Sequence, residues 1–259
     1  MVETADTYSI VATGLTKHFG PTVAVDDVNL RVHQGEFFGF LGPNGAGKTT
    51  TIRMLCGLLR PTAGGIRIAG HDLREEPLEV KREIGVLPEE VSLYERLSGA
   101  EFLEFAARMH GLTLEEARRR GGELLELLDL AEAKDKLIVD YSMGMRKKTA
   151  FAAALIHNPK VMFLDEPFGG IDPISVRAIR DVLRQVMEHG TTVFFTTHVM
   201  EVAERLCTRV AIIHRGKIVG EGDLTELRTE AEAGGDSTLE DIFLRLVEAR
   251  VDEETLSWL

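Results

Sequence analysis

Residues Gly42-Pro43-Asn44-Gly45-Ala46-Gly47-Lys48-Thr49 follow the pattern G-x-x-x-x-G-K-[ST], directly after an apolar run and ahead of a helical one. In that setting glycines let successive backbone N–H groups turn inward around phosphate oxygens, and the helix N-terminus adds partial positive charge. Lys48 would then reach the β and γ phosphates, and Thr49 would hold magnesium. A second chemical group ends another apolar run, Val161-Met162-Phe163-Leu164-Asp165-Glu166. Asp165 is of the type that binds magnesium through its water shell, and Glu166 could orient and deprotonate a water attacking the γ phosphate. Two such acids also read as loop solvation or a helix cap, a reading that weakens once a phosphate loop accompanies them. His198 follows the apolar run Thr192 to Thr197, where an imidazole either hydrogen-bonds a phosphate oxygen or is structural. Asp172-Pro173 opens a helix and makes a good cap in its own right. Pro88-Glu89-Glu90 and Tyr141-Ser142-Met143-Gly144-Met145, taken alone, read as a loop with surface acids and as a helix start capped by Ser142.

The elements that must carry these residues are legible as two kinds of run. Glu36 to Leu41, Val161 to Leu164, Thr192 to Thr196 and Val210 to Ile213 are short, apolar and without alternation, as strands buried on both faces of a parallel sheet are. Ile84 to Leu87 adds another strand. Helical stretches at Thr49 to Leu59, Ser142 to His157, Pro173 to Glu188 and Val199 to Leu206 lie between most of them, which predicts an α/β architecture. Tyr8 to Ala12 and Val28 to Val32 are expected as antiparallel strands flanking that sheet. Gly99 to Asp129 is rich in helix formers, with no strand between, and is expected as a helical subdomain inserted into the core.

The chain has 259 residues, 44% hydrophobic and 28% charged, with eight prolines, values of an ordinary globular protein. Its charge-free stretches, such as Ala150 to Ile156, fall far short of the ~20 apolar residues of a membrane span. The acidic, polar start Met1 to Asp6 lacks the features of a secretory signal, so export of the chain itself is not expected. Two cysteines, Cys56 and Cys207, make no metal cluster or disulfide framework and suit a reducing cytoplasm. Net charge is −12, of which positions 221 to 259 carry −9, from twelve acids against three arginines. That tail is expected to hold a short helix at Leu224 to Arg228, a loop at Gly234-Gly235 and a helix from Thr238 to Ala249. Leu239, Ile242, Phe243, Leu246 and Val247 then share helical spacing, either packing on the chain's own core or serving a regulatory contact.

The order of motifs resembles the ATP-binding cassette (ABC) ATPases: phosphate loop at 42 to 49, Ser142-x-Gly144 at a helix start, Asp165-Glu166, Asp172 just after, and His198 at the next strand end. The likeness runs from about Tyr8 to about Glu221. It implies the P-loop NTPase fold of that family, with a mostly parallel core sheet, an antiparallel β flank and a helical insertion at about 90 to 160. An ABC ATPase domain would then span 1 to 220, with an acidic helical appendage over 221 to 259. It also implies ATP and magnesium, and a dimer in which each site pairs one subunit's phosphate loop with the other's signature helix. Carried over by position, Gly42, Pro43, Asn44, Gly45, Ala46, Gly47, Lys48, Thr49 and Thr50 bind phosphates. Thr49, Asp165 and Glu89 serve the metal; Glu166 is the base, aided by Lys48, and His198 the switch histidine. Phe19 would stack on adenine, unless it is simply a core residue. Ser142 and Gly144 would cap the partner's γ phosphate, and Asp172 would communicate across the dimer.

Three departures qualify the match. Tyr141-Ser142-Met143-Gly144-Met145 replaces the usual Leu-Ser-Gly-Gly-Gln but keeps the hydroxyl and second glycine. Glu89 replaces the usual Gln, keeping a metal-binding oxygen while adding negative charge beside the γ phosphate. Phe168-Gly169-Gly170-Ile171 replaces Thr-Ser-Gly-Leu and leaves Asp172 in register. Ser-x-Gly-Met with Pro-Glu after the Ile-Gly strand is similar to cassettes of type-2 exporters. That implies separate membrane-spanning permease subunits, whose helices dock near Glu89, with this chain on the cytoplasmic face. The alternative, a soluble ABC-type ATPase acting on nucleic acid or ribosomes, fits less well. Lys48 and Ser142 stand only 94 positions apart, too close for an inserted coiled coil, and the acidic balance repels nucleic acid.

Overall fold

The computed structural model describes residues 8–231 and 237–248. The start at Met1 to Asp6, the Gly234-Gly235 loop and the end of the last helix at Ala249 lie outside the described residues. In chain order the strands are β1 (Tyr8–Phe19), β2 (Thr22–His33), β3 (Phe37–Leu41), β4 (Ala63–Ile68), β5 (His71–Asp72), β6 (Ile84–Leu87), β7 (Val161–Asp165), β8 (Thr192–Thr197), β9 (Arg209–His214) and β10 (Lys217–Gly222). The helices are α1 (Lys48–Leu55), α2 (Pro77–Glu83), α3 (Gly99–Met109), α4 (Leu114–Leu127), α5 (Met143–Leu155), α6 (Pro173–Glu188), α7 (Met200–Leu206), α8 (Leu224–Glu230) and α9 (Leu239–Glu248).

The non-alternating runs form the central sheet, ordered β10-β9-β3-β8-β7-β6, with every pairing parallel except the β9–β10 hairpin. Both faces are buried, which is why apolar side chains occur without interruption. Phe37, Leu41, Met162, Leu164, Val193 and Phe195 join the core beneath the helices. The alternate residues Phe38, Phe40, Val161, Phe163 and Phe194 join a second core beneath α1 and the flanking sheet. That flank is antiparallel, ordered β2-β1-β4-β5.

The flanking hairpin is longer than the expected Tyr8 to Ala12 and Val28 to Val32. Register shifts between Ala12 and Leu15 and between Leu15 and Lys17 break the period-two pattern. β4 was hidden by its glycines. At Gly64, φ is +96° and a Cβ would stand 2.5 Å from the Gly14 carbonyl oxygen, so only glycine lets β4 approach β1 here. The expected helix over Thr49 to Leu59 ends at Leu55, and a hydrogen-bonded turn follows it.

The inserted helices are held by caps as much as by packing. Ser98 and Glu101 form a capping box at α3, and the Thr113 hydroxyl accepts from Glu116 N–H at α4. Leu103, Ala107, Ala117 and Leu125 then bury against α5. In the tail, Asp223 and Glu226 form a second capping box at α8. β10 runs through position 220 to Gly222, and α9 packs against α7, α8 and β10, burying Leu239 and Ile242 in the main core.

Candidate active site

The chemical residues gather where β3, β7 and β8 end, because parallel strands in register deliver their C-terminal ends to one edge of the sheet. Leu41 pairs with Thr197 and Asp165 with Thr196, so the loops after these strands are neighbours. The phosphate loop leaves β3 under tight steric control. A Cβ on Gly42 would lie 2.4 Å from the Ile213 carbonyl oxygen, and one on Gly47, at φ +113°, 2.6 Å from that of Ala24. Glycine is therefore required at both ends of the loop. Lys48 begins α1 and is 6% exposed. Its amine donates to the Gly42 carbonyl at 2.7 Å and lies 3.5 Å from Glu166 Oε1.

Glu166, at the turn after β7, is 7% exposed and holds φ at +46°, a conformation uncommon for a residue with a side chain. Its carboxylate faces two partners through the same oxygen, Lys48 and, at 3.0 Å, His198 Nδ1. Asp165 accepts a hydrogen bond from Thr196 Oγ1, and Thr49 Oγ1 stands 3.5 Å from the same carboxylate oxygen. Two hard oxygen donors, one from the first turn of α1 and one from the end of β7, are the kind of set that suits magnesium.

Asp172 caps α6, accepting from the N–H groups of Ile174 and Ser175 and from the Ser175 hydroxyl. Those bonds, the Ser175 hydroxyl first, hold its carboxyl below the usual range. Ser142 caps α5 through Met145 N–H and remains exposed. Gly144 meets the same cap from the other side, since a Cβ there would lie 2.9 Å from Ser175 Oγ and 3.1 Å from Asp172 Oδ2. Among the described residues no hydrogen bond joins Ser142 to the chain's own phosphate loop. Phe19, at the end of β1, is 50% exposed with the Lys17 amine 5.1 Å from its ring centre, so it is not a core residue. Glu89 is exposed just beyond β6. Pro43, Asn44, Gly45 and Ala46 complete the phosphate loop, and Thr50 stands in the first turn of α1.

Two participants escaped the sequence. Thr196 accepts from Glu166 N–H at 3.1 Å while donating to Asp165, so it fixes both acids. Lys147 is 4% exposed on α5 and donates to the carbonyls of Glu166 (2.7 Å) and Gly169 (3.0 Å). Burial pulls its pKa down, while the carboxylates of Glu166, Glu89 and Asp165 push it up. A lysine pair beside an otherwise apolar helix segment, Lys147-Lys148 before Thr149 to Leu155, was the available signal, since lysine is rarely buried unless paired.

A phosphate loop and a carboxylate pair at the edge of such a sheet define a nucleotide-hydrolysing α/β cassette. The family model described as ABC transporter matches residues 25–169. The chain is 44% identical over 241 residues to a daunorubicin resistance ATP-binding protein of Streptomyces coeruleorubidus, an overlap of 93% of this chain and 75% of that protein. To the linearmycin resistance ATP-binding protein of Bacillus subtilis it is 40% identical over 230 residues, 88% of this chain and 73% of that one. Among solved structures, an ATP-binding subunit of an ABC transporter superposes with a TM-score of 0.86 at 31% identity, covering 92% of this chain and 99% of that one. A dimeric ATP-binding cassette in a post-hydrolysis state with ADP and Pi superposes with a TM-score of 0.77 at 27% identity, covering 83% and 98%. The chain belongs to the ABC transporter family. It is an ATP-binding subunit of that family and hydrolyses ATP. Among the described residues no helix is long and apolar enough to cross a membrane.

Proposed function

We propose that two cassettes, two copies of this chain or this chain and a second ABC ATPase subunit, close head to tail on two ATP molecules and drive separate membrane-spanning permease subunits. The observation that carries the reading is the Glu166 carboxylate, buried between the Lys48 amine and His198 at the mouth of the phosphate loop. Within each site, Phe19 stacks on adenine, and Gly42 to Thr50 wrap the phosphates with Lys48 on the terminal pair. Thr49 and Asp165, joined by Glu89, would hold magnesium, which when bound would offset phosphate charge. Glu166 takes a proton from water as the water oxygen bonds to the γ phosphorus and the bond to the β–γ bridging oxygen breaks. His198 steadies that carboxylate and senses the γ phosphate. The exposed Ser142 and the N–H groups at the start of α5 cap the partner's γ phosphate, and Asp172 reports across the interface.

Binding ATP favours the closed pair and hydrolysis releases it, so the cycle delivers mechanical work to the permease. Relatives named for resistance to daunorubicin and linearmycin support outward transport. In this reading the chain is peripheral on the cytoplasmic face, with its permease seated near the exposed Glu89. Tagged Glu166→Gln protein, loaded with ATP and incubated with detergent-solubilised native membranes, tests this. Retention of a multi-span membrane protein that stimulates wild-type ATPase on reconstitution is expected. Retention of ribosomes or DNA, with no membrane protein, would shift the reading to a soluble ATPase.

A further inference from the structure

We propose that Lys147 is a positioning residue for Glu166, tying the backbone of the base to the helix that begins at Ser142. The proposal rests on the reading of Glu166 as base. Glu166 sits at φ +46°, and a residue with a side chain persists there only when its surroundings hold it. Both ends of the residue are held, from different elements. On one side β8 takes the Glu166 N–H through the hydroxyl and carbonyl of Thr196, at 3.1 and 3.2 Å. On the other, the Lys147 ammonium grips the Glu166 carbonyl at 2.7 Å and the Gly169 carbonyl at 3.0 Å, clasping the turn that connects the base to the segment leading to Asp172.

Packing alone does not account for an ammonium at this place. At 4% exposure a methionine would fill the same volume without the desolvation that a buried charge incurs. The two carbonyls belong to a turn whose geometry aims the base, and the positive charge lies where Glu166, Asp165 and Glu89 concentrate negative charge. Lys147 is also about one helical turn from Ser142 and Gly144 on α5. A shift of that helix start, where the partner's nucleotide is read, therefore reaches the base of the chain's own site through one side chain.

The test is a mutant cycle on the full-length protein, with Lys147→Met, Lys147→Gln and Glu166→Gln. Steady-state kcat and KM for ATP, affinity for a fluorescent ATP analogue and the thermal midpoint are read for each variant. Lys147→Met is expected to lower kcat at least tenfold, with KM and analogue affinity within about twofold of wild type, and Lys147→Gln, which keeps an N–H donor, to recover part of that loss. In the Glu166→Gln background, single-turnover hydrolysis should fall no further on adding Lys147→Met. If Lys147→Met does not fold, Lys147→Gln is carried through the same cycle, and its smaller loss must likewise vanish. A kcat within threefold of wild type for Lys147→Met, or an equal loss in both backgrounds, overturns the proposal. Wild-type turnover in Glu166→Gln alone overturns instead the reading of the base, and with it this inference.

Discussion

Glu166 is strained, buried and shared between a lysine and a histidine, and each of these facts bears on what a substitution would do. Glutamine keeps the size and the hydrogen bonding but cannot accept the proton from water. Glu166→Gln is therefore expected to lower ATP turnover by about 10²–10⁴-fold while leaving nucleotide affinity near wild type, as measured by phosphate release and equilibrium binding. Lys48→Ala acts earlier: it removes the only amine bonded to the loop carbonyl of Gly42 among the described residues, and the cation proposed to meet the phosphates. Nucleotide affinity should drop at least tenfold, and an unchanged affinity in a direct binding assay would count against the phosphate-loop reading. These two residues were legible because their motifs are contiguous and a strand precedes each. Thr196 and Lys147 were not, because their work is done on backbone and carboxylate groups 19 to 31 positions away, a pairing made only by the fold.

Between elements, the junction of the inserted helices with the core carries a second titratable feature. His110, just after α3, stacks on His157, just after α5, with ring centres 3.6 Å apart. His157 Nε2 meets the Ile84 carbonyl and therefore carries the proton, while its Nδ1 is buried without a partner. Burial first, then the charges of His110 and Arg120, lower its pKa to about 4. Since the folded value lies below the ordinary 6.5, the unfolded chain binds more protons between those values. This contribution to stability is complete above pH 6.5 and is lost as pH falls towards 4. His157→Gln keeps a donor for Ile84 without the titration, so its thermal midpoint should decline less steeply than wild type over that window; parallel curves would refute the assignment. At this scale the sequence exposed the buried strands through their unbroken apolar runs, and the starts of α5 and α6 through Ser142 and Asp172 as caps; the caps Ser98 and Thr113 at α3 and α4 emerge only in the structure. It concealed β4 and β10, whose glycines answer to close approach rather than strand propensity, and α2, which buries only Val80 and so shows no stripe.

Across the whole molecule, the acidic tail is part of the cassette's packing. Leu239 and Ile242 are fully buried, and α9 leans on α7, the helix that follows His198. Ile242→Ala should cost about 2–4 kcal/mol in urea unfolding while leaving turnover per folded chain unchanged; altered turnover at intact stability would assign the tail a regulatory role instead. Ser142, Met143 and Ile174 are exposed at the starts of α5 and α6, and among the described residues no hydrogen bond joins them to the phosphate loop of the same chain. In the proposed reading a single cassette holds two half-sites, and a complete site needs a second one. Sedimentation of Glu166→Gln protein with and without magnesium ATP measures this most directly. The account predicts a shift from one chain to two on adding ATP, with one nucleotide retained per chain. ATP bound at full occupancy by a protein that stays at the mass of a single chain would contradict pairing between two copies and leave only a mixed pair with a second ABC ATPase subunit.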